Sequence, residues 1–277
     1  MSRSSLRRST THCRSSVNRT KRYRQGWLNE TALSAPRSPM CRSVLVESAF
    51  AAADVPVYDS TLYEGGTSLS TADNILRAGR ELGLCSDDAD TNALVTRGDA
   101  AIILHVVLTQ SFRIEEPPVP VTLVNAAGVN INDYLLALRQ VPEPVLAAFN
   151  AAGWTYRIDF DYMGGLSKKL NMSCIGATNY SQKTIYLSEA SATLHEFGHF
   201  LDWMLGFPAE YEQLFRAEAS AAPLRNYAKT DSREYFADCF AYWVKYAENA
   251  NAISLLQECA PMTYRYMEDL MRIANRL

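Results

Sequence analysis

The amino-acid sequence predicts an α+β fold: a small sheet with flanking helices, preceded by a smaller helical module. Three observations carry that expectation. Residues 154–162 alternate, with Tyr156, Ile158 and Phe160 on one parity, and a second short strand-like run, Lys183-Thr184-Ile185-Tyr186-Leu187, follows; period-two alternation marks a half-buried strand. From Ala190 onward the pattern is helical, interrupted near Gly206-Phe207-Pro208, Ala222-Pro223 and Pro261, where glycine and proline end helices. The chain has 277 residues, 48% of them hydrophobic, enough to bury one core of ordinary size and a second, smaller one. No apolar run reaches the roughly 18 residues that a membrane-spanning helix needs.

Taken in order, residues 1–42 are rich in Ser, Thr and Arg and carry ten basic groups against one acid. So few apolar side chains cannot offset the entropy of ordering, and the segment is expected to be disordered. A transit peptide, a basic nucleic-acid-binding arm and a start upstream of the true one (Met40) all fit it. No apolar stretch of secretory type follows the charged start. The remaining residues hold 17 basic and 29 acidic groups, a net of −12, a charge that repels nucleic acid and anionic membranes. The six cysteines show no paired spacing, so neither a disulfide framework nor a cysteine metal site is expected.

Residues 43–110 read as a small helical module. Ser70 to Leu82 has a helical pattern, and Thr96 and Asp99 have capping-box spacing at the start of a second helix running toward Thr109. With Leu82-Gly83-Leu84, the acidic loop of Asp87, Asp88 and Asp90, and Val95-Thr96-Arg97-Gly98-Asp99, the hairpin resembles one S-layer homology repeat. That resemblance implies attachment to a cell-wall polymer, with Arg97 at the place of the wall-binding arginine. Such repeats act in threes and one is found here; a plain, well-capped packing hairpin fits the same residues. Residues 111–127, with Pro117, Pro118 and Pro120, read as a stiff linker. Residues 128–277 form the main domain: helix over 132–150 with a break near Pro142 and Pro144, the two strands above, then helices.

The main domain carries His195-Glu196-Phe197-Gly198-His199, an HExxH motif. With this chain's His and Glu content, chance supplies about 0.003 such motifs. On a helix His195 and His199 lie one turn apart, so both imidazoles face one ion, and neutral imidazole nitrogen suits Zn²⁺. Glu196 borders the same cleft without being a ligand, where a general base takes a proton from water. Leu194, Phe197 and Leu201 remain to anchor the helix. A third ligand is needed. His12 and His105 lie in the basic arm and before the linker, which leaves a downstream carboxylate. Glu234 and Asp238 share a helix face at i and i+4. With Glu234 as ligand, Asp238 is placed to accept the other ring N–H of a ligand histidine. Asp231 and Glu234 also read as a simple capping pair.

The HExxH motif, Tyr227, and Glu234 seven residues beyond it, with Ile175-Gly176-Ala177-Thr178-Asn179-Tyr180 and Thr184–Leu187 upstream, resemble the catalytic domain of anthrax lethal factor and the related secreted Pro-Pro endopeptidases. The resemblance spans residues 128–277. It implies a zincin-like fold, one catalytic zinc held by His195, His199 and Glu234, and a Tyr227 hydroxyl that supports the oxyanion. It also implies a secreted or cell-surface endopeptidase cutting a protein or peptide substrate, with Pro-rich sites as the family's preference. Arg233 departs, standing where some relatives carry an acid. The substrate would lie extended along a sheet edge, with residues 174–180 as the candidate edge. Two competing classes are a cell-wall-binding surface protein whose hydrolase domain is inactive or secondary, resting on the 43–110 module, and a nucleic-acid-associated protein, resting on residues 1–42 alone and opposed by the acidic body.

Overall fold

The computed structural model describes residues 11–13, 40–86, 89–109 and 114–274. They divide into two compact units, one ending at Pro118 and the other running from Val119 onward together with strand β1, Thr11–Cys13. Apart from Thr11–Cys13 and Met40–Arg42, the expectation of disorder over residues 1–42 lies outside the described residues, as do Asp87 and Asp88 of the acidic loop.

The first unit is helical: α1 (Arg42–Ala52), α2 (Thr71–Glu81) and α3 (Arg97–Thr109). Ser70 caps α2 by accepting from the Asp73 N–H at 3.1 Å. The Thr96–Asp99 capping box forms in both directions: the Asp99 N–H donates to Thr96 Oγ1 at 3.1 Å and the Thr96 N–H to Asp99 Oδ2 at 3.0 Å. Val46, Phe50, Leu76 and Ile103 are the buried side chains that hold the three helices together.

The second unit is built on a mixed sheet with the order β1-β4-β5-β3-β2, where β2 is Leu123–Asn125, β3 Thr155–Ile158, β4 Cys174–Asn179 and β5 Thr184–Leu187. Strands β2, β3 and β5 run parallel, and β4 is antiparallel to both β5 and β1. The helices are α4 (Asn132–Leu138), α5 (Glu143–Ala151), α6 (Phe160–Leu170), α7 (Thr193–Met204), α8 (Ala209–Glu218), α9 (Ser232–Tyr246), α10 (Ala250–Cys259) and α11 (Pro261–Ala274). This is the expected α+β architecture, a small sheet with helices around it.

Register decides which face of the sheet each helix covers. Tyr156 pairs with Ile185 and Ile185 with Thr178, while Leu187 pairs with both Ile158 and Gly176, so these six point the same way. That face takes α7: the Tyr156 hydroxyl meets Thr193 Oγ1 at 2.7 Å. The opposite face takes α6, whose Met163 packs against Cys174, Ala177 and Tyr186, with Tyr162 stacked on Tyr186 at 3.7 Å between centroids.

Two local readings differ from the sequence expectation. The strand over 154–162 ends at Ile158, and Phe160–Tyr162 open α6 instead, because Asp159 caps that helix by accepting from the Tyr162 N–H at 2.9 Å. The aromatic alternation and the weak Gly164-Gly165 pair hide the helix. Strand β2 lies inside the 111–127 segment read as linker; at three residues it is too short to show periodicity. Cys41, Cys239 and Cys259 are free thiols.

Candidate metal centre

Helix α7 is buried nearly all round, and its apolar face carries much of the core. Phe197 lies 4.9 Å from Phe149 between ring centroids, and Phe200 lies 5.1 Å from Phe149 and 5.2 Å from Trp154. Three aromatic contacts of this kind lock the helix rotation, which turns His195 and His199 to the opposite side, against α9. Gly198 lets α9 come in. A Cβ there would sit 2.6 Å from Ala237 Cα and 2.8 Å from Ala237 O, inside any allowed contact, so only glycine permits this crossing. Helix α9 begins at Asp231, whose Oδ1 accepts from the Arg233 and Glu234 N–H groups at 2.9 and 3.0 Å. Asp231 is therefore the cap, and the Glu234 carboxylate is left to face the histidines.

His195 Nε2 and His199 Nε2 lie 3.0 Å apart, and Glu234 Oε2 is 3.1 Å from the first and 3.5 Å from the second. All three side chains are buried, at 2%, 0% and 2% exposure. Glu234 Oε2 accepts no hydrogen bond of acceptable geometry, so three electron-pair donors face one another. Two ligands about 2.0–2.1 Å from a tetrahedral ion stand roughly 3.3 Å apart. The observed spacings bracket that value, and His195, His199 and Glu234 are the group of metal-binding side chains that converge among the described residues. The donor set fits Zn²⁺.

The surroundings orient these donors. Asp238 Oδ1 lies 2.7 Å from His195 Nδ1, and Arg225 grips Asp238 in a fork, Nε to Oδ2 and Nη2 to Oδ1. Arg225 also lies over the Tyr227 ring, 5.3 Å from its centroid. The Tyr227 hydroxyl donates to Glu234 Oε1 at 3.1 Å. Burial alone would depress the His195 imidazole, but the Asp238 and Glu234 carboxylates beside its two ring nitrogens outweigh it and raise its pKa to about 9. For Glu234 burial pushes upward, yet the two imidazoles beside its Oε2 win and hold the carboxyl well below the ordinary range. Burial pushes Glu196 up to about 8, against the His195 charge and the Thr178 hydroxyl.

The six residues singled out from sequence (His195, Glu196, His199, Tyr227, Glu234, Asp238) thus come together in space. Arg225, Gly198 and Thr178 were not singled out. Gly198 had a legible signal, since an isolated glycine inside a helical pattern usually has a packing reason. Arg225 and Thr178 had none, because each meets the site only through the tertiary fold.

Residues 158–270 match the family model of the anthrax toxin lethal factor, N- and C-terminal domain, which is less than half of the chain. Among solved structures, the Pro-Pro endopeptidase PPEP-2 from Paenibacillus alvei is similar at 19% identity and a TM-score of 0.43, covering 53% of this chain and 96% of that one. No curated protein matches the chain. The family match begins at residue 158, and the S-layer homology resemblance of residues 43–110 finds no support in these comparisons. Among the described residues no helix is long and apolar enough to cross a membrane. Residues 158–270, which hold every side chain of the site, are lethal factor-like.

Proposed function

We propose that this chain is a zinc-dependent endopeptidase that hydrolyses peptide bonds of a protein substrate. The observation that carries the reading is the convergence of His195 Nε2, His199 Nε2 and Glu234 Oε2 at 3.0–3.5 Å in a buried site. Zinc bound there supplies a Lewis acid for the scissile carbonyl and makes a water acidic enough to attack at neutral pH.

The chain's own residues do the rest. Glu196 takes the proton of the attacking water and delivers it to the leaving amine. The Tyr227 hydroxyl, now donating to Glu234 Oε1, turns that donor to the developing oxyanion, a contribution typically worth ~2.7–4 kcal/mol. Asp238, gripped by Arg225, fixes the tautomer and orientation of His195. The outer side of β4, the candidate substrate edge, is taken by Thr11–Cys13 in antiparallel register, and an extended substrate would pair there only in place of that strand. A secreted or cell-surface place of action and a preference for Pro-rich sites follow from the resemblance alone.

Elemental analysis of purified protein, followed by digestion of a peptide library that includes Pro-rich members, tests the reading. One zinc per chain and defined cleavage are expected. Glu196→Gln should keep the zinc and lose turnover; hydrolysis at the wild-type rate in that variant would remove Glu196 from the mechanism. Glu234→Ala should lose the zinc.

A further inference from the structure

The antiparallel pairing of β4 with β5 sets Gly176 and Thr178 two residues apart on the sheet face that meets α7. Thr178 is fully buried, and its hydroxyl donates to Glu196 Oε2 at 2.8 Å. The Glu196 carbonyl oxygen is a longer second neighbour at 3.3 Å. A hydroxyl has one proton, and the nearer carboxylate oxygen takes it. The other carboxylate oxygen, Glu196 Oε1, is buried without a hydrogen-bond partner. It lies against β4 at Gly176, where a Cβ would come within 2.6 Å of it and within 2.8 Å of Ala192 Cβ. The two oxygens of one carboxylate are therefore in different situations: one is hydrogen-bonded to Thr178, the other is packed against Gly176 without a hydrogen bond.

We propose that Thr178 is a positioning residue for the general base: its hydroxyl fixes one Glu196 oxygen by a hydrogen bond, and the other packs into space that Gly176 keeps open by lacking a Cβ, so that the carboxylate is held in one orientation. The inference rests on the endopeptidase reading for its meaning, but its geometry can be tested separately. A carboxylate untied at both ends of a flexible side chain samples several rotamers, and only a fraction of them aim an oxygen at the reacting water. Thr178 removes that freedom from one direction and α7 from the other.

Two substitutions separate this role from simple packing. Thr178→Val keeps the branched shape and removes the hydroxyl; Thr178→Ser keeps the hydroxyl and removes the methyl. Zinc-loaded wild-type, Thr178→Val, Thr178→Ser and Glu196→Gln proteins are compared on the peptide that the wild type cuts best in the library. Thr178→Val is expected to lower kcat about ten- to hundredfold, the range for losing a hydrogen bond to a charged group, with KM within about threefold and zinc content unchanged. Thr178→Ser is expected to stay within about threefold of wild type. A packing role reverses the order, sparing Val and harming Ser, and that result overturns the proposal. Crystal structures of the wild-type and Thr178→Val proteins give a readout independent of activity: the Glu196 carboxylate should leave its place beside residue 178 in the variant. A carboxylate that stays where it was also overturns the proposal. A wild type without zinc-dependent cleavage defeats the endopeptidase reading instead, and leaves the crystallographic comparison to decide the role of Thr178. Should Thr178→Val fail to fold, Thr178→Ser decides on kcat, because only a packing role predicts its loss.

Discussion

Replacing Gly198 by alanine is the smallest change that should dismantle the metal centre, and its size follows from the helix crossing. The added Cβ would stand 2.6 Å from Ala237 Cα and 2.8 Å from Ala237 O. Ordinary heavy-atom contact is about 3.5–4.0 Å, so α7 and α9 must part by roughly 1 Å. Neither obstacle is a side chain that can swing away; both are backbone of a buried helix. Glu234 lies on α9 three residues before Ala237 and moves with it, while both histidines stay on α7. Ligand distances in a working site hold to about ±0.2 Å, so a separation of that size takes the Glu234 carboxylate out of reach. Overpacking typically costs about 1–3 kcal/mol, which for a domain of this size lowers Tm by roughly 2–12 °C. Calorimetry and competition with a chromophoric chelator measure both effects. Gly198→Ala should melt lower, bind zinc at least about tenfold more weakly, and gain less in Tm on adding zinc. A variant that melts with the wild type and holds zinc as tightly would show that the helices do not need this crossing to build the site.

Two further perturbations probe the surroundings. Arg225→Ala removes the fork that holds Asp238, and should weaken zinc affinity about 10–100-fold, the usual cost of losing an outer partner; chelator competition reads it, and an affinity equal to wild type would confine Arg225 to the surface. Asp202 is 3% exposed, its Oδ2 has no hydrogen-bond partner, and burial raises its pKa to about 7 against the opposing charge of Arg233. A carboxyl that binds its proton more tightly folded than unfolded makes stability fall as pH rises from about 4 to about 7, with the loss complete above that. Urea unfolding at pH 5 and pH 8 should therefore show Asp202→Asn gaining on the wild type at the higher pH, by up to a few kcal/mol; parallel pH profiles would show that Asp202 ionises without cost.

The HExxH spacing, the helix stop at Gly206, the Asp231 cap and the i,i+4 pair of Glu234 and Asp238 are legible in sequence because each depends on residues within one helix, and helical geometry is known in advance. For the same reason the capping box at Thr96 and the break at Pro142 are readable; the strand at 155–158 follows from alternation, and that at 184–187 from a short β-branched and aromatic run. Helix α6 was not, because Asp159 ends one element and starts the next, and an aromatic run of that length fits either period. Only the tertiary structure decided that α9 crosses α7 closely enough for Glu234 to meet both imidazoles, that Arg225 stands behind Asp238, and that Thr178 of β4 reaches Glu196. Those are contacts between segments 13 to 43 residues apart. Their formation rests on sheet register and on what a missing Cβ allows, and neither is written in local periodicity.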